Sequence, residues 1–193
     1  MRKTGLVRVV QATIDRWDDV VTVLGTKGDP ARCWCQFFRE TNAMATVSTV
    51  ESRRDALCAQ VSADLPAGAL AYTDADEPVG WCGFAPRADY PRLARSAIAK
   101  ATADEDGLWA VTCFVVRTGF RKQGVSGHLL DGAIEIARRH GARVLEAYPI
   151  DLGAGRKPTS AELYHGALEV FLRAGFSEVA RPKADRSTVR LTL

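Results

Sequence analysis

Residues 107–130, "GLWAVTCFVVRTGFRKQGVSGHLL", join the most apolar segment of the chain to the start of an amphipathic helix. The length and β-branched content of residues 107–117 predict a strand that is covered on both faces and lies centrally in a sheet. Two cations and two glycines follow within residues 121–127. Because a helix N-terminus already presents positive charge, these cations predict a bound anion at the turn.

The helix that follows the turn supports this reading. Arg138, Arg139 and His140 lie in its last turn, where cations complement the helix dipole, so only the start of the helix is mismatched. Gly124 and Gly127 would let an anion approach the backbone closely. A solvated basic turn is the alternative, but the preceding buried strand favours a phosphate-binding loop. Val125 stands where a P-loop has its Lys, which argues against a nucleoside triphosphatase.

Composition limits the classes of partner. The 193 residues suit one domain, and 26 Lys and Arg against 23 Asp and Glu leave a net charge of +3. Such a small, dispersed charge does not predict a nucleic-acid partner. No apolar run resembles a signal peptide or a membrane span, so we expect a cytoplasmic protein without a membrane partner. The five cysteines, an odd number, are expected to be reduced.

Along the rest of the chain, helical and strand patterns alternate. The predicted helices are 13–25, 51–64, the helix after the turn, and 163–175, and residues 26–49 are predicted to be irregular. The predicted strands are 68–74 and 77–87, which form a hairpin, then 107–117, 143–151, 176–182 and 187–193, with a short basic helix after the hairpin. This order predicts a single α/β domain with a mixed central sheet of about six to seven strands, flanked by helices.

A family resemblance rests on two segments. Residues 115–142, "VVRTGFRKQGVSGHLLDGAIEIARRHGA", resemble the acyl-CoA-binding motif of the GNAT superfamily of N-acetyltransferases, [Q/R]-x-x-G-x-[G/A]. Arg121, Gly124 and Ser126 take the places of that motif, Ser126 where a small residue is common. Residues 164–176, "YHGALEVFLRAGF", resemble the last helix of the family. The order of elements fits the fold over nearly the whole chain.

The resemblance implies that residues 1–193 form a single GNAT-like acyl-CoA N-acyltransferase domain with acetyl-CoA as acyl donor. Backbone amides of residues 122–127 would hold the pyrophosphate of coenzyme A, and the end of the preceding strand would hydrogen-bond the pantetheine arm. The residues that the resemblance assigns to cofactor binding are Phe114, Val115, Val116, Arg121, Lys122, Gln123, Gly124, Val125, Ser126, Gly127 and Phe171.

The catalytic assignments depart from the family pattern. The last helix often carries a Tyr that protonates the leaving thiolate, and here Phe171 takes its place. Tyr164, at the place of an Asn in that pattern, is predicted either to substitute as the acid or to pack against the cofactor. For the base we favour Glu146, where the fifth strand of the family often has a Glu, with Asp151 as second candidate. A surface carboxylate at the end of a strand is the alternative interpretation of Glu146.

The acceptor side is the least determined by sequence. The aromatic cluster Trp34, Phe37 and Phe38, with Trp81 and the loop 151–162, either shapes a pocket for an amine or packs the core. We expect transfer of an acetyl group to a small-molecule or peptide amine by a monomer or homodimer, without a metal site. The alternative is a catalytically weak module that binds coenzyme A as a sensor or partner-binding protein.

Overall fold

Seven strands form one mixed sheet in the computed structural model, which describes residues 8–25, 27–99, 106–154 and 162–193. They are β1 Arg8–Gln11, β2 Gly68–Tyr72, β3 Pro78–Pro86, β4 Leu108–Val116, β5 Val144–Ala147, β6 Ser177–Lys183 and β7 Arg186–Thr192. The spatial order is β1-β2-β3-β4-β5-β7-β6. Only β4 and β5 pair in parallel within this sheet. The predicted central position of the apolar strand is confirmed, because β4 has three strands on either side.

Helices cover both faces of the sheet, and the chain forms the single α/β domain that the pattern predicts. The helices are α1 Trp17–Leu24, α2 Asp29–Cys33, α3 Asn42–Val47, α4 Val50–Val61, α5 Val125–Arg139 and α6 Leu168–Arg173. The apolar stripe of α5 packs with α6 in the largest core cluster, on one face. On the other face α1 and α4 pack against β2 and β3. The longer helices α1, α4 and α5 thereby bury apolar residues against the sheet, whereas α2 and α3 contain no fully buried residue.

A third, smaller core cluster covers the middle of the sheet. Phe38, Tyr90 and Tyr148 meet there with Ala85 and Ala110 of β3 and β4. Residues of β5 alternate between the faces, so Leu145 and Ala147 join the largest cluster while Tyr148 joins the third. Glu146 therefore faces the same side of the sheet as this third cluster.

Several predicted boundaries are wrong. The helix predicted over 13–25 is α-helical only from Trp17, after the 3₁₀ turn Ile14–Arg16, and the strand predicted over 143–151 ends at Ala147. Residues 26–49 contain α2 and α3, which are too short to show a helical period. The Thr41 hydroxyl caps α3 by accepting a hydrogen bond from the Met44 amide at 3.2 Å. The helix predicted over 163–175 begins only at Leu168, because Gly166 is left-handed, with φ +79°, and ends a short 3₁₀ segment.

The short basic helix predicted after β3 is also wrong. Two 3₁₀ turns, Arg87–Asp89 and Leu93–Arg95, replace it. The loop predicted over 151–162 includes residues 155–161, which lie outside the described residues. Within the described ranges, no helix is both long and apolar enough to cross a membrane.

Candidate active site

The central feature of the site is an opening between β4 and β5. Their parallel pairing runs from Leu108↔Val144 to Val111↔Ala147 and then stops, although β4 continues to Val116. A register shift on the other side of β4 leaves Thr112 as an extra residue opposite β3, which is a β-bulge. Among the described strands, none pairs with the β5-facing edge of β4 beyond Val111. That edge offers backbone groups to an extended ligand.

The turn after β4 gathers backbone donors. Lys122 and Gly124 are both left-handed, with φ +60° and +84°, and α5 begins at the next residue. Within the described residues, the amides of Lys122, Gly124, Val125 and Ser126 make no backbone hydrogen bond. Alternation of conformation in this way turns successive N–H groups toward one point, and such a concavity binds anions. We call residues 121–127 the anion cradle.

The anion cradle also has the space and charge that a diphosphate needs. A Cβ atom built on Gly124 or Gly127 would meet nothing within 4 Å, so the space at the N-terminus of α5 is open. Lys122 is exposed there, and the Arg121 Nε donates to the Val116 carbonyl at 2.9 Å, which ties the cradle to the end of β4. The residues present therefore fit the pyrophosphate and pantetheine of coenzyme A.

Four further residues predicted to bind the cofactor lie in the last part of β4 and in α6. Phe114 is 7% exposed, while Val115 and Val116 are half-buried. Phe171 is fully buried and packs edge-on against Phe114, with ring centroids 5.9 Å apart. The α6 position that often carries a Tyr in the family thus holds an apolar ring in the core.

Glu146 occupies a buried ionic cluster. Its Oε1 accepts hydrogen bonds from the Tyr148 hydroxyl at 2.5 Å and from Arg87 Nε at 3.2 Å, and its Oε2 accepts one from Arg190 Nε at 2.8 Å. The side chain is 0% exposed. Because both oxygens are engaged, an amine would reach the carboxylate only after one of these bonds opened. Its assignment as the base stays a prediction.

Asp151 lies at the edge of the site and is also paired. Its carboxylate accepts from Arg181 Nη1 at 2.8 Å and from the Gly153 amide at 2.9 Å. The hydrogen bond from the Arg181 guanidinium lowers the pKa of the Asp151 carboxyl. A carboxylate with a lowered pKa is a weaker proton acceptor. The role of Asp151 as second candidate base is likewise untested.

Tyr164 stands beside the open edge. Its 3₁₀ segment, Glu162–His165, packs against β4, and its ring lies 4.0 Å from the His165 ring and 6.4 Å from the Phe37 ring between centroids. Burial raises the pKa of the Tyr164 hydroxyl to about 12. The phenol therefore carries its proton throughout the neutral range.

The aromatic cluster predicted for the acceptor pocket divides in two. Trp34 is buried and stacks on Trp17 at 6.0 Å in the core beneath α1 and α4. Phe37 is 46% exposed and packs edge-on against Phe38 at 4.8 Å, near Tyr164. Trp81 is fully buried. Phe37 and Phe38 thus face the predicted acceptor side, whereas the two tryptophans pack the core.

Three residues near Tyr164 were not predicted from the sequence to belong to the site. Arg92, His165 and Arg186 each carry a buried side-chain nitrogen without a hydrogen-bond partner among the described residues. They come from three separate segments of the chain, so no local spacing signals them. No group of three His, Cys, Asp or Glu residues in the described ranges could hold a metal ion.

The sequence model of the Acetyltransferase (GNAT) family matches residues 32–156, which is more than half of the chain. The chain therefore belongs to the GNAT acetyltransferase family. The match includes the β4 edge, the anion cradle and Glu146, and it ends before Tyr164 and Phe171. No curated protein sequence matches the chain.

Solved structures share the fold over almost the full chain. The GNAT domain of S. lividans PAT is 16% identical, with a TM-score of 0.57, over 98% of this chain and 92% of that one. A GCN5-related N-acetyltransferase from Kribbella flavida is 15% identical, with a TM-score of 0.56, over 97% and 98%. PaiA N-acetyltransferase from Thermoplasma acidophilum, solved in complex with coenzyme A, is 10% identical, with a TM-score of 0.52, over 97% and 99%. At such identities the likeness concerns the fold.

Proposed function

We propose that this chain is an N-acetyltransferase that moves an acetyl group from acetyl-CoA directly to an amine. The observation that carries the proposal is the junction of the anion cradle with the open edge of β4. A diphosphate needs clustered N–H donors and positive charge, and an extended amide-bearing arm needs a free strand edge. Membership of the GNAT family and the neighbour solved with coenzyme A support the same donor.

Each part of the donor has residues that suit it. The amides of Lys122, Gly124, Val125 and Ser126 and the charge of Lys122 bind the pyrophosphate, while the Gly127 amide donates to the Gly124 carbonyl at 2.9 Å. Backbone groups of Phe114, Val115 and Val116 bind the pantetheine arm. Phe171 packs beneath that arm through Phe114. Bound acetyl-CoA supplies an activated thioester. Arg121 keeps the anion cradle and the strand edge together through its bond to the Val116 carbonyl.

Tyr164 is the proton donor in this proposal. Its hydroxyl stays protonated at neutral pH because burial raises its pKa to about 12. Its 3₁₀ segment packs on β4, so its Oη has a proton to give beside the open edge. This assigns to Tyr164 the role that Phe171, lacking a hydroxyl, does not perform.

Glu146 acts in the proposal by holding the site together. It joins β5 to Arg190 of β7 and to Arg87 of the turn after β3. The acceptor amine then loses its proton to solvent, and the rate follows the fraction of neutral amine. The earlier assignment of Glu146 as base makes a different prediction for the pH profile, which separates the two roles.

The test is release of free thiol from acetyl-CoA in the presence of a panel of amines, with mass detection of the acetylated product. We expect amine-dependent thiol release and an acetyl adduct of 1:1 stoichiometry. Binding of acetyl-CoA without release in any arm would overturn the enzyme and favour the second candidate, a coenzyme A-binding sensor. The buried Phe171 at the usual place of the acid is the observation that favours that candidate.

A further inference from the structure

Uncompensated polar nitrogens cluster on the acceptor side of the opening. In the described ranges, four buried side-chain nitrogens have no hydrogen-bond partner: Trp34 Nε1, Arg92 Nε, His165 Nδ1 and Arg186 Nη1. Three of these four belong to residues that surround Tyr164. Buried polar groups are nearly always satisfied in proteins, so a cluster of exceptions needs an explanation. A bound ligand that accepts hydrogen bonds from these nitrogens would be such an explanation.

Arg186 is the strongest of these exceptions. It begins β7 and bridges Ile150 through its backbone, yet its guanidinium forms no ion pair or side-chain hydrogen bond with any described residue. Nearby arginines behave differently. Arg181 pairs with Asp151 at 2.8 Å and Arg190 pairs with Glu146 at 2.8 Å. A half-buried guanidinium without a counter-ion is costly, and an anion would remove that cost.

Arg92 approaches the same place from the turn after β3. Its guanidinium carbon lies 4.6 Å from the centroid of the Phe37 ring, and its Nη2 donates weakly to the Thr41 carbonyl at 3.4 Å. Within the described residues it has no carboxylate partner, whereas neighbouring Arg39 pairs with Asp89 and Arg53 pairs with Glu40. Its Nε is left for a ligand.

Contacts place both arginines near Tyr164. Arg92 packs over the Phe37 ring, which lies 6.4 Å from the Tyr164 ring between centroids. Arg186 bridges Ile150, whose amide donates to the Gly166 carbonyl, two residues after Tyr164, at 3.0 Å. His165, stacked on Tyr164 and 4% exposed, adds no charge, because burial and then Arg186 lower its pKa to about 3. Its unpartnered Nδ1 is therefore a neutral polar group beside two cations. The surroundings of the proposed proton donor thus carry positive charge. They suit a ligand that bears a carboxylate rather than a ligand that is only a cation.

We propose that the acceptor carries a carboxylate next to its amine, as an amino acid does, and that Arg92 and Arg186 bind this carboxylate while His165 Nδ1 contacts the same molecule. The inference rests on the proposed acetyl transfer, because it names the acceptor of that reaction. Phe37 and Phe38 supply apolar surface for the side chain of such an acceptor. A fixed carboxylate would orient the amine toward Tyr164 and the open edge of β4.

Matched acceptors test the proposal. Phenylalanine, leucine, methionine and glutamate are each compared with the corresponding α-amide, at a pH where the fraction of neutral amine is corrected for each pair. We expect kcat/KM to favour the free carboxylate by about tenfold or more, as a charged hydrogen bond implies. Arg92→Gln and Arg186→Gln should each reduce that preference about tenfold, mainly through KM, and Arg186→Lys should restore part of it.

The controls separate the two proposals. Arg95→Gln removes an exposed cation three residues from Arg92 and should change nothing. Arg186→Gln should leave the melting temperature of the free protein unchanged or higher, because it removes an uncompensated charge. A preference for the amides, no effect of the arginine variants, or no binding of any free amino acid to protein saturated with coenzyme A would each overturn the carboxylate site. Failure to bind acetyl-CoA would instead overturn the proposed reaction.

Discussion

The donor side and the acceptor side of this molecule are built in opposite ways. The anion cradle, residues 121–127, is one contiguous turn that works through backbone amides. The acceptor side brings together Phe37, Arg92, Tyr164 and Arg186 from four distant segments and works through side chains. A contiguous backbone site can be predicted from the sequence, because its glycines and its helix must be neighbours along the chain. A site assembled by the fold has no such signature.

Among these substitutions, Glu146→Gln should have the largest effect, because Glu146 links β5 to β7 and to the turn after β3 through buried ion pairs. The substitution removes the carboxylate from two buried ion pairs, with Arg87 and with Arg190. We expect the free energy of unfolding to fall by about 3–5 kcal/mol, measured by urea denaturation. Glu135→Gln, which removes an exposed pair to Arg138, should cost less than about 0.5 kcal/mol.

The pH profile of the same variant decides the role of Glu146. If Glu146 holds the site, kcat/KM of Glu146→Gln keeps the rise toward alkaline pH that follows the neutral amine. If Glu146 is instead the base, the wild type has a level kcat/KM across the neutral range and the rise toward alkaline pH appears only in Glu146→Gln, a result that would contradict the positioning role.

Gly124→Leu should produce the next effect and act on the donor side alone. The new side chain would enter the open space of the anion cradle at a left-handed backbone position, φ +84°. We expect acetyl-CoA affinity to fall about 100-fold, equivalent to about 2.7 kcal/mol, by calorimetry. The matched control is Gly141→Leu at the other end of α5, where φ is +83° and the space is equally open.

Both glycine variants should lose about 1–2 kcal/mol of stability from the left-handed backbone, which cancels in the comparison. Equal affinity of the two variants for acetyl-CoA would place the anion site elsewhere.

Tyr164→Phe should act where the two sides meet. Removing the proposed proton donor should lower kcat about 100-fold, while acetyl-CoA affinity stays within twofold, since the hydroxyl is not assigned to cofactor binding. Because burial raises the pKa of this hydroxyl to about 12, the wild-type donor should stay protonated throughout the neutral range. Unchanged kcat at saturating acceptor would remove Tyr164 from the mechanism.

Asp151→Asn should have the smallest effect. The Arg181 guanidinium lowers the pKa of the Asp151 carboxyl, so the pair stabilises the native state above the unfolded pKa of about 3.9 and loses this contribution as the pH falls through the native value. We expect the variant to lose less than about 1 kcal/mol at pH 7, and the difference to vanish in acid denaturation series. A 100-fold loss of turnover would instead identify Asp151 as the base.

More of the fold than of the candidate site could be predicted from the sequence. The length and apolar character of residues 107–117 were enough to predict the central strand, and Gly25 and the apolar stripe of α5 marked helices that the structure confirms. Thr13 precedes a 3₁₀ turn and does not cap α1. The short helices of residues 26–49 were missed because five or six residues form fewer than two helical turns, too few for the apolar pattern to repeat. Gly166 adopts a left-handed conformation, so the last helix is shorter than predicted. The spacing of the apolar residues in this segment did not reveal that turn.

The site divides along the same line. The anion cradle follows from local rules of helix dipole and glycine. The pairing of Glu146 with Arg190 depends instead on the register of β5 and β7, and its pairing with Arg87 depends on the turn after β3. The unpartnered nitrogens of Arg92, His165 and Arg186 exist only because folding buries them. Sequence patterns describe what neighbours along the chain do, and these groups are neighbours only in space.

The central claim is that the opening between β4 and β5, with the anion cradle at its end, binds acetyl-CoA. Calorimetric titration of the wild-type chain with acetyl-CoA, run beside ATP, tests it before any acceptor is chosen. The account predicts saturable 1:1 binding of acetyl-CoA and much weaker binding of ATP, which lacks a pantetheine arm for the β4 edge. No binding of acetyl-CoA, or tighter binding of ATP, would contradict the account.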